Sequence, residues 1–405
     1  MNHTELHPQL KRLQRNSILV GVVGIIVAAG GAALSTEQFF QAYLLGYAYW
    51  MQLALGCMGV LLIHQLTGGQ WGFTIRRLLE TGAMTLPVMA LFFIPILVGM
   101  PWLYPWTNPE LVAESHVLSY KAGWWLNVPF FVGRTVLYFV IWSVLAYLLN
   151  KWSLQQDKTA EPRLSIRLKN LSALGIILFV LATTFAAFDW LMSTDPMWYS
   201  SMYGVIYFSG AAIFAIAASI LFTRYMSQRD EALGQQATIF MFNDLGNFLL
   251  AFVSFWAYVS FSQYLILWSS NLPETITFYF IRSQNGWQFP AIVLMAFGFF
   301  VPFLILLSRR NKRNVNLLIG LSLFLLLMRF VDLYWILMPT FYPQGFYFNW
   351  MSIFTVAGIG GIWVWLFIRY LAGKSLLPLH DPRFETAHTD THTPAKQLKE
   401  AAAHD

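Results

Sequence analysis

Long apolar runs separated by short polar connectors recur along the whole chain, at about 17–35, 39–67, 80–100, 126–150, 170–191, 201–224, 240–269, 288–308, 315–340 and 349–372. Each is long enough to cross a hydrocarbon core of about 30 Å as a helix rising ~1.5 Å per residue. In lipid, helices are the only spans that satisfy their own backbone without closing a barrel. The pattern therefore predicts an all-α integral membrane protein of about ten transmembrane helices. A short repeat lies four spans apart: Phe188-Asp189-Trp190-Leu191-Met192 with Pro196 in the fifth run, and Val331-Asp332-Leu333-Tyr334-Trp335 with Met338-Pro339 in the ninth. It predicts two related four-helix bundles, spans 2–5 and 6–9, with spans 1 and 10 flanking them.

Basic residues alternate between connectors. One set holds Lys11, Arg12, Arg15, then Arg76 and Arg77, then Lys151 to Lys169, Arg224 and Arg229, and Arg309 to Arg313, while the intervening set holds only Lys121 and Arg282. Lys and Arg are retained on the cytoplasmic side, so both termini are expected there. This gives a cytoplasmic N-terminus over 1–16, a membrane domain over 17–372 and a disordered cytoplasmic tail over 373–405. The first run follows a basic start and ends in small residues, as a signal peptide does, but its length and its place in the alternation favour a retained helix. The connector 101–125, with Trp102, Tyr104, Trp106, Trp124 and Trp125, is expected to lie at the membrane interface or under a partner.

Composition agrees. Charged residues make up 11% and hydrophobic residues 57% of the chain, against a soluble norm of about 25% charged. The net charge of +6 sits in loops that flank spans, where orientation explains it and no nucleic-acid partner is implied. The lone Cys57 lies in an apolar run, which excludes a disulfide framework or a thiolate metal site and leaves a packing role. His64 is the only histidine inside a span, so the paired axial ligands of a membrane haem are missing. The tail histidines His388, His392 and His404 have no further ligands near them, so no metal site is expected. No phosphate-cradling glycine loop and no nucleophile with a paired His and acid occurs in the spans. No cofactor is expected in this chain.

Ionisable groups inside spans point to function by default. Arg134, Asp189, Arg329 and Asp332 fall at one depth, in the predicted outer half, while His64, Glu80 and Asp244 fall near the inner face. Two readings stand together: Arg329 and Asp332, three residues apart, neutralise each other, or the two groups serve as ends of a proton path. Asn243, Asn247, Ser254, Tyr258 and Ser262 share one face of the seventh run at ~100° per residue. They form a column that orders water between the two acidic groups, or hydrogen-bonding glue between helices. Arg134 with the aromatic connector is a candidate quinone contact.

Two stretches resemble a known family: Asp189-Trp190-Leu191-Met192-Ser193 with Pro196, Trp198 and Gly204, and Phe255-Trp256-Ala257-Tyr258-Val259-Ser260-Phe261-Ser262-Gln263-Tyr264-Leu265-Ile266-Leu267-Trp268 followed by Asn271-Leu272-Pro273-Glu274. They are similar to the second large membrane subunit of bacterial alternative complex III, a member of the polysulfide-reductase-like (NrfD) membrane-anchor family. The resemblance runs from the first span to the last. It implies two four-helix bundles with flanking helices, in a quinol:electron acceptor oxidoreductase of a respiratory or photosynthetic chain in the bacterial cytoplasmic membrane. Haem and iron–sulfur clusters are then expected in partner subunits, namely a multihaem cytochrome and an iron–sulfur protein, with quinol oxidation in a sister ten-helix subunit. This chain would scaffold the complex and conduct protons. It departs from relatives that carry His-Asp-Leu-Gly-Lys where it reads Asn243-Asp244-Leu245-Gly246-Asn247, which weakens a relay at Asp244. The rival readings are a self-standing ion or solute transporter, for which only Pro87 and Pro95 in the third run speak, and a purely structural anchor.

Overall fold

The computed structural model describes residues 8–383. Among them ten helices are long and apolar enough to cross a membrane: α1 Gln9–Ala32, α2 Thr36–Thr67, α3 Gln70–Val98, α4 Val128–Thr159, α5 Pro162–Thr194, α6 Tyr203–Ser227, α7 Ile239–Ser270, α8 Gln288–Leu307, α9 Val315–Phe341 and α10 Met351–Leu371. The chain is an all-α, multi-span membrane protein. Side-chain oxygens start several of these helices by accepting from an orphan N–H of the first turn. Ser35 caps α2 at Gln38 N (3.3 Å), Asn127 caps α4 at Phe130 N (3.0 Å), Thr238 caps α7 at Met241 N (3.2 Å) and Asn314 caps α9 at Leu317 N (3.2 Å).

The helices pack as the repeat predicted. Helices α2, α3, α4 and α5 touch in a closed ring, α6, α7, α8 and α9 form a second, and α1 lies against α10 and α2. The rings meet along α2 and α6, where a Cβ on Gly56 would sit 2.0 Å from the Ala211 carbonyl. Likewise a Cβ on Gly24 would stand 2.7 Å from the Gly358 backbone. Small residues at these crossings let backbones approach and gain dispersion contact, which matters where lipid removes the hydrophobic drive between helices.

Connectors gather at two faces. At the aromatic face Lys121 Nζ donates to the Pro196 carbonyl (2.7 Å), Trp198 Nε1 to the Thr275 carbonyl (3.0 Å) and Trp287 Nε1 to the Tyr342 carbonyl (3.0 Å). The connector 101–125 folds there into short helices and is half tucked in. Tyr104 and Trp106 are buried, while Trp102 and Trp124 stay exposed. At the opposite, basic face Arg229 reaches Gln9 and Lys312 reaches Asn247.

Two expectations are corrected. Helix α3 starts at Gln70 rather than 80 and α4 runs to Thr159 rather than 150, so Arg76, Arg77 and Asp157 sit on helices instead of in loops. Hydropathy falls before the helix ends because these charges pair inside the protein. The segment 373–383, expected to be part of a disordered tail, packs against the bundle: Leu377 is buried and Asp381 is 1% exposed. Residues 384–405, with His388, His392 and His404, lie outside the described residues.

Proline shapes both bundles. Helix α3 is broken near its aromatic end into Leu86–Phe92 and Ile94–Val98, and the turn Met100–Leu103 follows it, each opening with a proline in its first turn. In α9, Pro339 has no N–H for the Trp335 carbonyl four residues back. Arg282 supplies the missing donor: its Nε bonds Trp335 O at 3.2 Å, and its Nη2 bonds Ile336 O at 2.5 Å and Thr340 Oγ1 at 3.0 Å.

Candidate functional site

Near the aromatic face each bundle buries an arginine–aspartate pair. In the first, Asp189 of α5 is fully buried and meets Arg134 of α4 as a fork, with Nε to Oδ2 at 2.7 Å and Nη2 to Oδ1 at 2.8 Å. Tyr138 donates to Oδ2 at 2.8 Å and Trp125 to Oδ1 at 3.1 Å. Arg134 spends Nη1 on the Trp125 carbonyl (3.0 Å), and its guanidinium stacks 4.0 Å from the Trp125 ring and 4.3 Å from the Phe130 ring. Tyr104 closes the site from above by donating to the Trp190 carbonyl at the end of the helix (3.0 Å). Bidentate geometry and filled lone pairs are what a buried ion pair needs to offset its desolvation.

The second pair lies along α9. Arg329 Nη1 reaches Asp332 Oδ2 at 3.1 Å, one turn away on the same helix. Arg329 is fully buried, and its Nε and Nη2 have no hydrogen-bond partner among the described residues. Its charge rests on the Trp256 ring at 4.4 Å, in a space that exists because position 210 is glycine; a Cβ there would sit 2.9 Å from Nη1. The Asp332 carboxylate, 3% exposed, faces the Trp256 indole and lines a cavity of about 670 Å³ between α6, α7, α8 and α9. On the same cavity wall Arg282 is 1% exposed with no carboxylate at ion-pair distance among the described residues. Burial pulls its pKa down to about 10, against the opposing influence of Tyr203, Asp195 and Tyr279.

The residues expected to act together divide differently. The four groups expected at one depth form two separate pairs: Asp332 with Arg329, and Asp189 with Arg134, which is thereby committed to an ion pair rather than free for a quinone. The polar column of α7 does not run through the protein interior. Its buried face is Leu245, Leu249, Val253, Trp256 and Val259, while Asn247 and Tyr258 point outward, Tyr258 being 68% exposed. Ser254 and Tyr258 line the cavity, Asn243, Asp244 and Ser262 are half-buried, and Asn247 accepts from Lys312 Nζ at 2.6 Å. A seam that is polar and contiguous in sequence faces whichever side the helix packing dictates, and here it faces away from the first bundle.

At the basic face Glu80 is locked rather than open to solvent. It accepts from Arg76 (2.8 Å) and Arg77 (2.7 Å); Arg76 also holds Asp381 at 2.7 Å and Ser153 at 2.9 Å, and Arg77 holds Asp157. Asp381 takes a further bond from Arg383 (2.8 Å), so three arginines face three carboxylates. Burial raises the Asp381 pKa, but hydrogen bonds from Arg383 and the charges of Arg76 and Arg383 outweigh it and hold the carboxyl at about 2. His64 lies fully buried edge-on to Phe73, 4.8 Å between ring centres, under Gly72, where a Cβ would strike its Nδ1 at 1.9 Å.

Sequence reasoning missed Tyr138, Asp157, Asp381 and the roles of Arg76, Arg77, Trp125 and Arg282. For Arg282 a signal existed: a lone arginine on the cation-poor side, beside a helix that carries Pro339. No family model matches the chain, and no curated protein matches it.

Proposed function

We propose that this chain is a cofactor-free membrane subunit of a quinol:electron acceptor oxidoreductase of the alternative complex III type, scaffolding the complex in a bacterial cytoplasmic membrane and exchanging protons at Asp332. The observation that carries this reading is the stretch from Phe255 to Trp268 with Asn271 to Glu274, whose Trp256 faces the Arg329–Asp332 pair. The closed rings of four helices and the duplicated arginine–aspartate pairs support it. In this reading the basic face is cytoplasmic, both termini lie there, and the aromatic face meets a multihaem cytochrome, an iron–sulfur protein and a sister ten-helix subunit. Those partners hold the haem and clusters and oxidise quinol.

The rival reading, a self-standing transporter, has the proline-broken α3 in its favour. Affinity purification of the tagged chain from its native membrane separates the two. Recovery at fixed stoichiometry with a multihaem cytochrome and an iron–sulfur protein is the expected result. Recovery of the chain alone, with solute uptake in liposomes, would replace the proposal.

A further inference from the structure

The cavity of the second bundle is built for an occupant. It lies toward the aromatic end, where α7 and α8 diverge from their contact nearer the basic face, with Asp332, Leu333, Trp335 and Ile336 of α9 at its back. Its volume, about 670 Å³, falls in the range that encloses most of a small-molecule ligand. Its mouth opens sideways, because Phe261, Ile292, Met295 and Phe300 line it and are also 49–63% exposed on the outer surface of the bundle. The α8 wall contains a π-helical turn, Leu294–Phe300. Such turns sacrifice regular hydrogen bonding and recur at functional sites.

The walls restrict the chemistry of the occupant. At the deep end stand flat rings, Trp256, Tyr203, Phe278, Tyr279 and Trp335, which stack on a planar head. The two charged lining groups, Asp332 and Arg282, are both buried at that end, so the head goes inward and the tail outward. A phosphate head fits poorly: Asp332 is a carboxylate, and Arg282 has already spent its Nε, Nη2 and one Nη1 donor on the Phe278, Trp335 and Ile336 carbonyls and on Thr340. A neutral head carrying a hydroxyl donor fits well, because it donates to Asp332.

We propose that this cavity binds one membrane-soluble quinol, with its hydroxylated ring among the aromatic side chains beside Asp332 and its hydrocarbon tail leaving between α7 and α8. The proposal rests on the reading of the chain as a subunit of a quinol-oxidising complex, and it assigns binding, not oxidation, to this site. Asp332 is the acceptor that positions the head.

The test is equilibrium binding of a radiolabelled, decyl-tailed benzoquinol, kept reduced, to the full chain in phosphatidylcholine nanodiscs, with empty discs as the partition reference. Saturable binding of one quinol per chain is expected, with affinity at least tenfold weaker in Ala291→Trp, which fills the cavity from its lipid side and touches neither ion pair. Ala257→Phe fills it from α7 and serves if the first variant misfolds. Leu181→Trp, on the exposed surface of α5, leaves affinity unchanged. Linear partitioning alone, equal affinity in the filled variants, or one phospholipid per chain retained in native mass spectra and not displaced by quinol would each overturn the proposal. None of these results bears on co-purification with the cytochrome, so the two readings fail separately.

Discussion

Asp189 and Asp332 occupy corresponding places in the two bundles, but Asp189 accepts four hydrogen bonds, two of them from a guanidinium on a neighbouring helix, whereas Asp332 accepts one from an arginine on its own helix. The first pair ties α4 to α5 and takes Trp125 of the connector into the knot. The second ties α9 only to itself and leaves two donors of Arg329 unmatched. Satisfaction of lone pairs decides what a buried carboxylate can do. A saturated one gains nothing from a proton or a ligand, while a half-satisfied one gains from either. The duplicated motif thus carries a fully satisfied carboxylate in one bundle and a half-satisfied one in the other.

The largest expected effect breaks the Asp189–Arg134 pair. Asp189→Asn leaves Arg134 buried without its counter-charge, at a cost of about 3–5 kcal/mol; the variant should lose its monodisperse elution in mild detergent and melt well below wild type. Melting like wild type would make the two pairs equivalent and remove the contrast. Next comes Arg282→Met, which strands the Trp335 carbonyl freed by Pro339 and costs about 1–3 kcal/mol. Pro339→Ala restores a backbone donor, so in a double-mutant cycle it should recover roughly 1 kcal/mol of that loss; simple additivity would show that Arg282 does not act through the carbonyl.

Asp332→Asn also removes the counter-charge of a fully buried arginine, so it is expected to cost up to about 3 kcal/mol, less than Asp189→Asn because a single hydrogen bond within one helix is at stake and the cation keeps the Trp256 ring. A loss as large as that of Asp189→Asn would erase the difference between the two carboxylates. The smallest effect concerns the basic face. Asp381 has a folded pKa of about 2 against 3.8 ordinarily, so its contribution to tail docking is complete above pH 3.8 and disappears as pH falls through 2. Limited proteolysis should therefore find the segment 373–383 equally protected at pH 5 and pH 8, and Asp381→Asn should open it at both.

Most of the fold was legible because hydropathy reports spans directly, and the Asp189 and Asp332 stretches revealed the duplication. The ends of α3 and α4 were not, since Arg76, Arg77 and Asp157 read as loop charges until their partners are known. What sequence does not contain is azimuth, the direction in which each helix turns its side chains, which depends on packing. That is why the sequence yields Arg134, Asp189, Arg329 and Asp332 as one group and not as two separate pairs, and why the Asn243 to Ser262 seam reads as an interior column when Tyr258 faces out. Asp381 was hidden because the polar tail offers no period to read.

The central claim, that Asp332 exchanges protons, is tested most directly by proton release and uptake in sealed vesicles during quinol oxidation by the fully assembled complex carrying Asp332→Asn. The account predicts normal assembly and cofactor content with a lowered proton-to-electron ratio; an unchanged ratio in that complex would contradict it and leave the chain as an anchor.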